Sequence, residues 1–206
     1  MLFPRRRYAD IGSFASDYYQ ETSRAAASID PDRLAAAAAA LGKTIDERRW
    51  IYVCGNGGSA AISNHLFCDF VKGIQTDTER RPKVMSLSAH LEMISAIGND
   101  IGYDDVFIYQ LRTMAEPGDL LLTISSSGNS ENIVRTVEWA KEHGLATVAL
   151  TGFDGGRSAA LADVNLHVDC HNYGIVEDLH QSIMHLLAQY LRQERMTPSK
   201  FGVCKF

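Results

Sequence analysis

Two segments of this chain carry imidazoles and carboxylates at helical spacing. His65 and Asp69 stand four residues apart, so they differ by about 40° around a helix and share a face. Glu177, Asp178, His180, Gln181 and His185 fall on a second segment near the end of the chain. Glu177 and His185, eight apart, differ by about 80° and can border one cleft. A carboxylate or an imidazole can take a proton from carbon and return it to a neighbouring atom when an oxyanion stabiliser stands nearby. The same groups are ligands for a divalent metal. A lone helical histidine is more often a polar surface residue, and His65 and His180 are open to that reading. The grouping of several such residues on two helices argues for a site.

Two loops supply the other half of the chemistry. Gly55-Asn56-Gly57-Gly58-Ser59-Ala60 follows a strand-like run and precedes a helical one, and so does Ser125-Ser126-Ser127-Gly128-Asn129-Ser130. Glycines let a backbone approach an anion, helix starts offer free N–H groups, and hydroxyls donate to phosphate oxygens. Serine and glycine also serve as ordinary helix caps. Two such loops, both after strands, point to phosphate. There is no Gly-x-x-x-x-Gly-Lys-Ser/Thr sequence, so a nucleoside triphosphate loop is absent. The first loop reads Gly-x-Gly-Gly-Ser, and no ribose-binding acid follows the next strand, so no nucleotide cofactor is expected.

These groups need a scaffold of parallel strands. Runs at 50–54, 83–87, 120–124, 146–150 and 164–168 read as strands, with helices at about 59–73, 90–97, 104–115, 129–143, 156–162 and 175–194. Alternation of this kind predicts a parallel sheet with helices on both faces, and ligands outside the carboxyl ends of its strands. Ahead of it, residues 9–47 predict two helices broken at Asp30-Pro31-Asp32, the second rich in alanine and suited to close packing. The expected organisation is a helical hairpin over 1–48, the α/β unit over 49–196 and a loose tail over 197–206.

Composition limits the partners. In 206 residues, 20 Lys and Arg stand against 25 Asp and Glu, for a formal charge of −5. That argues against broad nucleic-acid binding but does not exclude a small anion held by local amides. Arg5-Arg6-Arg7 reads as a solvated terminus. No apolar run approaches the ~20 residues a membrane helix needs, and no apolar stretch follows the basic start as in a secretory signal. The four cysteines form no Cys-x-x-Cys pair, which fits reduced thiols in the cytoplasm.

The two loops, together with Gly98-Asn99-Asp100 and Thr151-Gly152-Phe153-Asp154-Gly155-Gly156, resemble the sugar isomerase (SIS) domain family, and within it the phosphoheptose isomerase group. The resemblance runs from the hairpin to about residue 194. It implies a flavodoxin-like three-layer α/β fold with a five-stranded parallel sheet, and a homotetramer with active sites at subunit interfaces. It implies a sugar phosphate as substrate, with sedoheptulose 7-phosphate converted to a D-glycero-D-manno-heptose 7-phosphate. By resemblance, Ser59, Ser125, Ser126, Ser127 and Ser130, with Gly57 and Gly58, hold the phosphate, while Asn56 and Asp100 place the sugar. His65, Asp69, Glu177 and His185 bind zinc, and Asp69, His185 and Glu177 carry the proton transfers. Asp69 replaces the usual Glu, and Glu177 replaces the usual Gln, so either carboxylate could be the base. A slip of one residue would put Asp178 in place of Glu177. Two other readings remain open at this stage: a non-catalytic SIS regulator, disfavoured because His185 is retained, and an isomerase of another sugar phosphate.

Overall fold

The computed structural model describes residues 3–206. Its helical hairpin starts and breaks where the sequence caps it. The Asp10 carboxylate accepts from the Ser13 amide at 2.9 Å and opens α1 (Ile11–Ala26). The Asp30 carboxylate accepts from the Asp32 amide at 2.8 Å ahead of Pro31, opening α2 (Pro31–Asp46). The strands β1 (Trp50–Gly55), β2 (Lys83–Ser86), β3 (Leu120–Ser125), β4 (Ala146–Thr151) and β5 (Val164–His167) form one parallel sheet. Their order is β2-β1-β3-β4-β5, the flavodoxin-like arrangement expected. The order reverses between β1 and β3, and the two glycine- and serine-rich loops leave those two strands at that point.

Side-chain alternation along the strands divides the core in two. Ile51 and Val53 of β1 and Leu120, Leu122 and Ile124 of β3 point to one face. There they meet Ala25 of α1, Leu41 and Ile45 of α2, Leu66 of α3 (Gly58–Cys68), and Ile183 and Leu187 of α8 (Tyr173–Gln193). Tyr52, Cys54 and Leu121 point to the other face. They meet Ile97 of α4 (Leu91–Asp100), Leu111 of α5 (Ile108–Met114) and Ile133 and Val137 of α6 (Glu131–Glu142), with the partly buried Leu161 of α7 (Gly156–Leu161) packed against them. The hairpin therefore shares a core with the sheet. Ala37 and Ala38 are buried in it, where small side chains allow the close helix approach the alanine run predicts.

Three elements differ from the sequence reading. The helix expected over 59–73 is α3 followed by a wider π-helical turn, Asp69–Ile74, in which Phe70 and Ile74 are both fully buried. The helix expected over 104–115 is a short 3₁₀ turn at Tyr103–Asp105 and then α5. The segment read as a loose tail lies along α8. Lys200 pairs with Asp77 at 3.3 Å, the Lys205 carbonyl accepts from Arg192 at 3.2 Å, and the Arg192 guanidinium lies 4.7 Å from the centre of the Phe206 ring.

His180, open to a surface reading, is fully buried on the inner side of α8, and neither ring nitrogen has a hydrogen-bond partner. Burial drives its pKa down to about 4, so the ring is neutral in the core. The folded value lies below the unfolded value of about 6.5, so the unfolded chain takes up the proton first as pH falls. Stability is full above about pH 6.5 and declines toward about pH 4, by at most about 1.4 kcal/mol per pH unit from this group. His180→Leu removes the titrating ring and should flatten that decline. Urea unfolding of both proteins across this interval measures it. Equal slopes would show that His180 does not set the acid sensitivity.

Candidate active site

The first half of the site lies at the switch point of the sheet. The loop after β1 passes through Gly57 at φ +53° into α3, and no side chain caps that helix start. The loop after β3 turns through Gly128 at φ +62° into α6, which also has no side-chain cap. First-turn amides are thereby left for a ligand. The serine loop is braced from behind. The Gly152 amide donates to the Ser126 carbonyl at 3.0 Å, and the Ser158 amide to the Gly128 carbonyl at 2.9 Å. Gly128 packs against the Gly155 carbonyl, in a position where a Cβ has no room.

Together the loops enclose a pocket of about 280 Å³. It is lined by Asn56, Gly57, Gly58, Ser59, Ser125, Ser126, Ser127 and Ser130, with Tyr173 and Glu177 from the start of α8. The Ser126 hydroxyl is buried and makes no hydrogen bond, so it has a donor to offer. Asn56 is fixed by a reciprocal amide pair with Asn132 (2.9 and 3.0 Å) and by the Tyr103 hydroxyl at 2.9 Å. Glu131, at the start of α6, is engaged by Arg135 at 3.2 Å and Arg157 at 2.6 Å. Those guanidiniums hold its carboxyl below the usual range and offset its charge near the loop.

The second half lies farther along α8. The Asp69 carboxylate stands 2.6 Å from His185 Nδ1 and 3.3 Å from His65 Nε2. The two imidazole centres are 4.9 Å apart, edge to face. Gln181 reaches both rings, with Nε2 3.2 Å from His65 Nδ1 and 2.8 Å from His185 Nε2. Asp69 and His185 also line a cavity of about 410 Å³ with Lys72, Arg192 and Phe206 among its other walls. Ligand atoms of His65, Asp69 and His185 lie within 4.8 Å of one another, and this donor set of two imidazoles and a carboxylate fits a divalent cation.

Glu177 is not part of that group. Its carboxylate lies against Gly58, in the pocket between the glycine and serine loops, and Gln181 takes the position beside the imidazoles that the resemblance implied for residue 177. Asp178 faces away and accepts from the Tyr18 hydroxyl of α1 at 2.5 Å, so a one-residue slip does not bring it to the pocket. Asp100 also stays out of the pocket. It ends α4 with its carboxylate accepting from Asn99 at 2.7 Å, and Tyr103 reaches Asn56 instead. Asn132 and Tyr103 were not among the expected site residues. The available signal was Asn132 itself, a polar residue on the buried side of an amphipathic helix directly after the serine run.

A sequence model of the SIS domain matches residues 17–152. The phosphoheptose isomerase of Nitratidesulfovibrio vulgaris (strain DSM 19637 / Miyazaki F) is 39% identical over 158 residues, 77% of this chain and 76% of that one. The structure of the phosphoheptose isomerase from Neisseria gonorrhoeae superposes with a TM-score of 0.81 at 30% identity, covering 89% of this chain and 100% of that chain. The Vibrio vulnificus NanR protein complexed with ManNAc-6P matches with a TM-score of 0.67 at 16% identity, over 90% of this chain and 63% of that one. That likeness shows the fold alone.

The serine loop should bind inorganic phosphate without magnesium. Replacing Ser126 and Ser127 together by Ala removes two charge-assisted hydrogen bonds of about 1.5–3 kcal/mol each. Phosphate affinity, measured by calorimetry, should fall by more than about tenfold. Unchanged affinity would place the anion elsewhere.

Proposed function

The chain belongs to the SIS domain family, and on that premise we propose that it isomerises a phosphorylated heptose between ketose and aldose forms. The substrate that fits the relatives' names is sedoheptulose 7-phosphate, with a D-glycero-D-manno-heptose 7-phosphate as product. The observation that carries this reading is one stripe of α8. Glu177, Gln181 and His185 follow each other at intervals of four. The stripe begins in the pocket of the serine loop and ends at the imidazole–carboxylate cluster, about 12 Å away along the helix. A sugar phosphate held by its phosphate at one end would present its carbonyl end toward the other.

In this reading the amides and hydroxyls of the two loops bind the phosphate. Asp69 takes the proton from the carbon beside the ketose carbonyl, leaving an enediolate. A proton returned to the former carbonyl carbon completes the aldose. His185, hydrogen-bonded to Asp69, orients the carboxylate and moves the hydroxyl proton from one oxygen of the enediolate to the other. Glu177, facing the pocket between the two ends, is the second candidate base. Its position against Gly58 also suits it to accept from sugar hydroxyls.

His65, Asp69 and His185 would hold the metal, with zinc the best match to two nitrogens and a carboxylate oxygen. When bound, it would polarise the sugar carbonyl and stabilise negative charge on its oxygen. The Glu177 ligand implied by the resemblance drops out of this set. We further propose a homotetramer in the cytoplasm. Exposed apolar residues on several helices, among them Phe67, Leu91, Tyr109, Leu186 and Tyr190, offer surface for subunit contact. No helix among the described residues is long and apolar enough to cross a membrane.

Exchange of the carbon-bound substrate proton with deuterated water, followed by NMR, tests the proton transfer. Asp69→Asn and His185→Asn should each keep the fold and lose at least about 100-fold in exchange and turnover. Wild-type rates in both, with Glu177→Gln inactive, would move the base to Glu177. Wild-type rates in all three would place the chemistry elsewhere. A wild-type protein that binds sugar phosphates but turns none over would favour a regulatory role. Light scattering should give about four times the chain mass. A monomer at micromolar concentration would overturn the tetramer.

A further inference from the structure

The hydrogen-bond pattern around Asp69 closes on itself through Gln181. A glutamine amide has two N–H donors at one end and an acceptor oxygen at the other. A neutral imidazole has one donor and one acceptor nitrogen. With its nitrogen inward, Gln181 donates to His65 Nδ1 (3.2 Å) and to His185 Nε2 (2.8 Å). Each ring then carries its proton on the opposite nitrogen. Those nitrogens are His185 Nδ1, 2.6 Å from Asp69 Oδ2, and His65 Nε2, 3.3 Å from Asp69 Oδ1. Gln181 gives two protons, Asp69 faces two, and every ring position is accounted for.

With its oxygen inward, the same amide accepts from both rings. The protons then sit on His65 Nδ1 and His185 Nε2, and the two nitrogens beside Asp69 expose lone pairs. Two lone pairs and a carboxylate facing one another repel unless a cation lies among them. Three ligand atoms within 4.8 Å can share one. Each ring carries one proton in both arrangements, so the change shifts protons between ring nitrogens without net release.

We propose that Gln181 is a positioning residue that fixes the tautomers of His65 and His185, and that turning its amide end for end converts a closed hydrogen-bonded ring into a seat for a divalent cation. This rests on the metal reading given above, and it adds a residue outside the ligand set that decides when the set is open. Leucine at 181 can hold neither tautomer. Glutamate, when ionised, only accepts and holds the open one.

The test uses full-length protein labelled with ¹⁵N at histidine, stripped with a chelator and titrated with zinc chloride above the usual imidazole pKa of about 6.5. Two-bond proton–nitrogen spectra report the tautomers. Metal-free protein should show His65 protonated at Nε2 and His185 at Nδ1, and zinc should reverse both. Competition with a chelating dye should show zinc affinity about 10–100-fold weaker in Gln181→Leu. In Gln181→Glu it should be no weaker than wild type, with both folds checked by circular dichroism. Tautomers unmoved by zinc, tautomers in Gln181→Leu identical to wild type, or equal zinc affinity in that variant would each overturn the proposal. If wild type takes up no zinc yet isomerises the sugar phosphate, this proposal fails and the isomerase reading stands. If zinc reverses the tautomers but no sugar phosphate is turned over, the isomerase reading fails and this one stands.

Discussion

α8 passes the start of α3, and the Glu177 carboxylate rests where a Cβ at residue 58 would stand. The rest of the site depends on that approach. It brings Gln181 and His185 against His65 and Asp69, which α3 and the π-helical turn after it carry away from the end of β1. A second glycine meets the same helix one residue earlier. Gly152, just after β4, packs against Val176 with no space for a larger residue. The end of β4 thus fixes the height of α8 above the sheet, while Tyr18 of α1 ties it to the hairpin through Asp178. The conformational cost of those glycines is the usual loss of backbone freedom on folding, and it is offset by the apolar burial of Ile175, Val176, Ile183 and Leu187.

The two ends of the site use opposite chemistry. The end proposed for the phosphate is made mostly of hydroxyls, amides and helix starts, with the Glu177 carboxylate on one wall, and the nearest acidic side chain of α6 is engaged by two arginines. An acidic chain can hold an anion there because helix-start amides act locally and need no net charge. The other end is built from ionisable side chains, partly exposed, with hydrogen-bond partners on every ring. In the proposed reading, phosphate binding gains from rigidity in the loop, while proton transfer gains from groups that can change their protonation.

The sheet was legible because its strands are apolar runs bounded by glycine and serine, and all five stand where the sequence placed them, within a residue or two. The two loops were legible for the same reason, since strand, loop and helix start follow one another without a gap. The π-helical turn at Asp69 was not. It carries no proline or cap to mark it, and its widening follows from tertiary packing of Phe70 and Ile74. His180 was open to misreading because a histidine on a helix carries no sign of its depth. The face it occupies is set by α8's fit to the sheet. Spacing alone grouped Glu177 with His185 at eight residues, but it could not show that Gln181, halfway between, would stand nearer to both imidazoles. That outcome depends on where α3 ends, which only packing decides.

The separation of Glu177 from the cluster follows from the same spacing. One turn of helix lies between Glu177 and Gln181, and another between Gln181 and His185. A carboxylate at 177 that joined the imidazoles would have to leave Gly58 and pass Gln181. Where it stands, it faces the loops that offer donors. An ionised carboxylate accepts hydrogen bonds and gives none, and it repels a phosphate placed against it. What suits it is a donor of another kind lying between the anchored phosphate and the imidazoles. The hydroxyls along a sugar chain have that character, and a shorter phosphorylated ligand held by the serine loop would leave both Glu177 and the cluster unmatched. In the proposed reading, the interval between the glycine at 58 and the histidine at 185 therefore bears on the length of the molecule this site would take, and it is set by the helix rise rather than by any single contact.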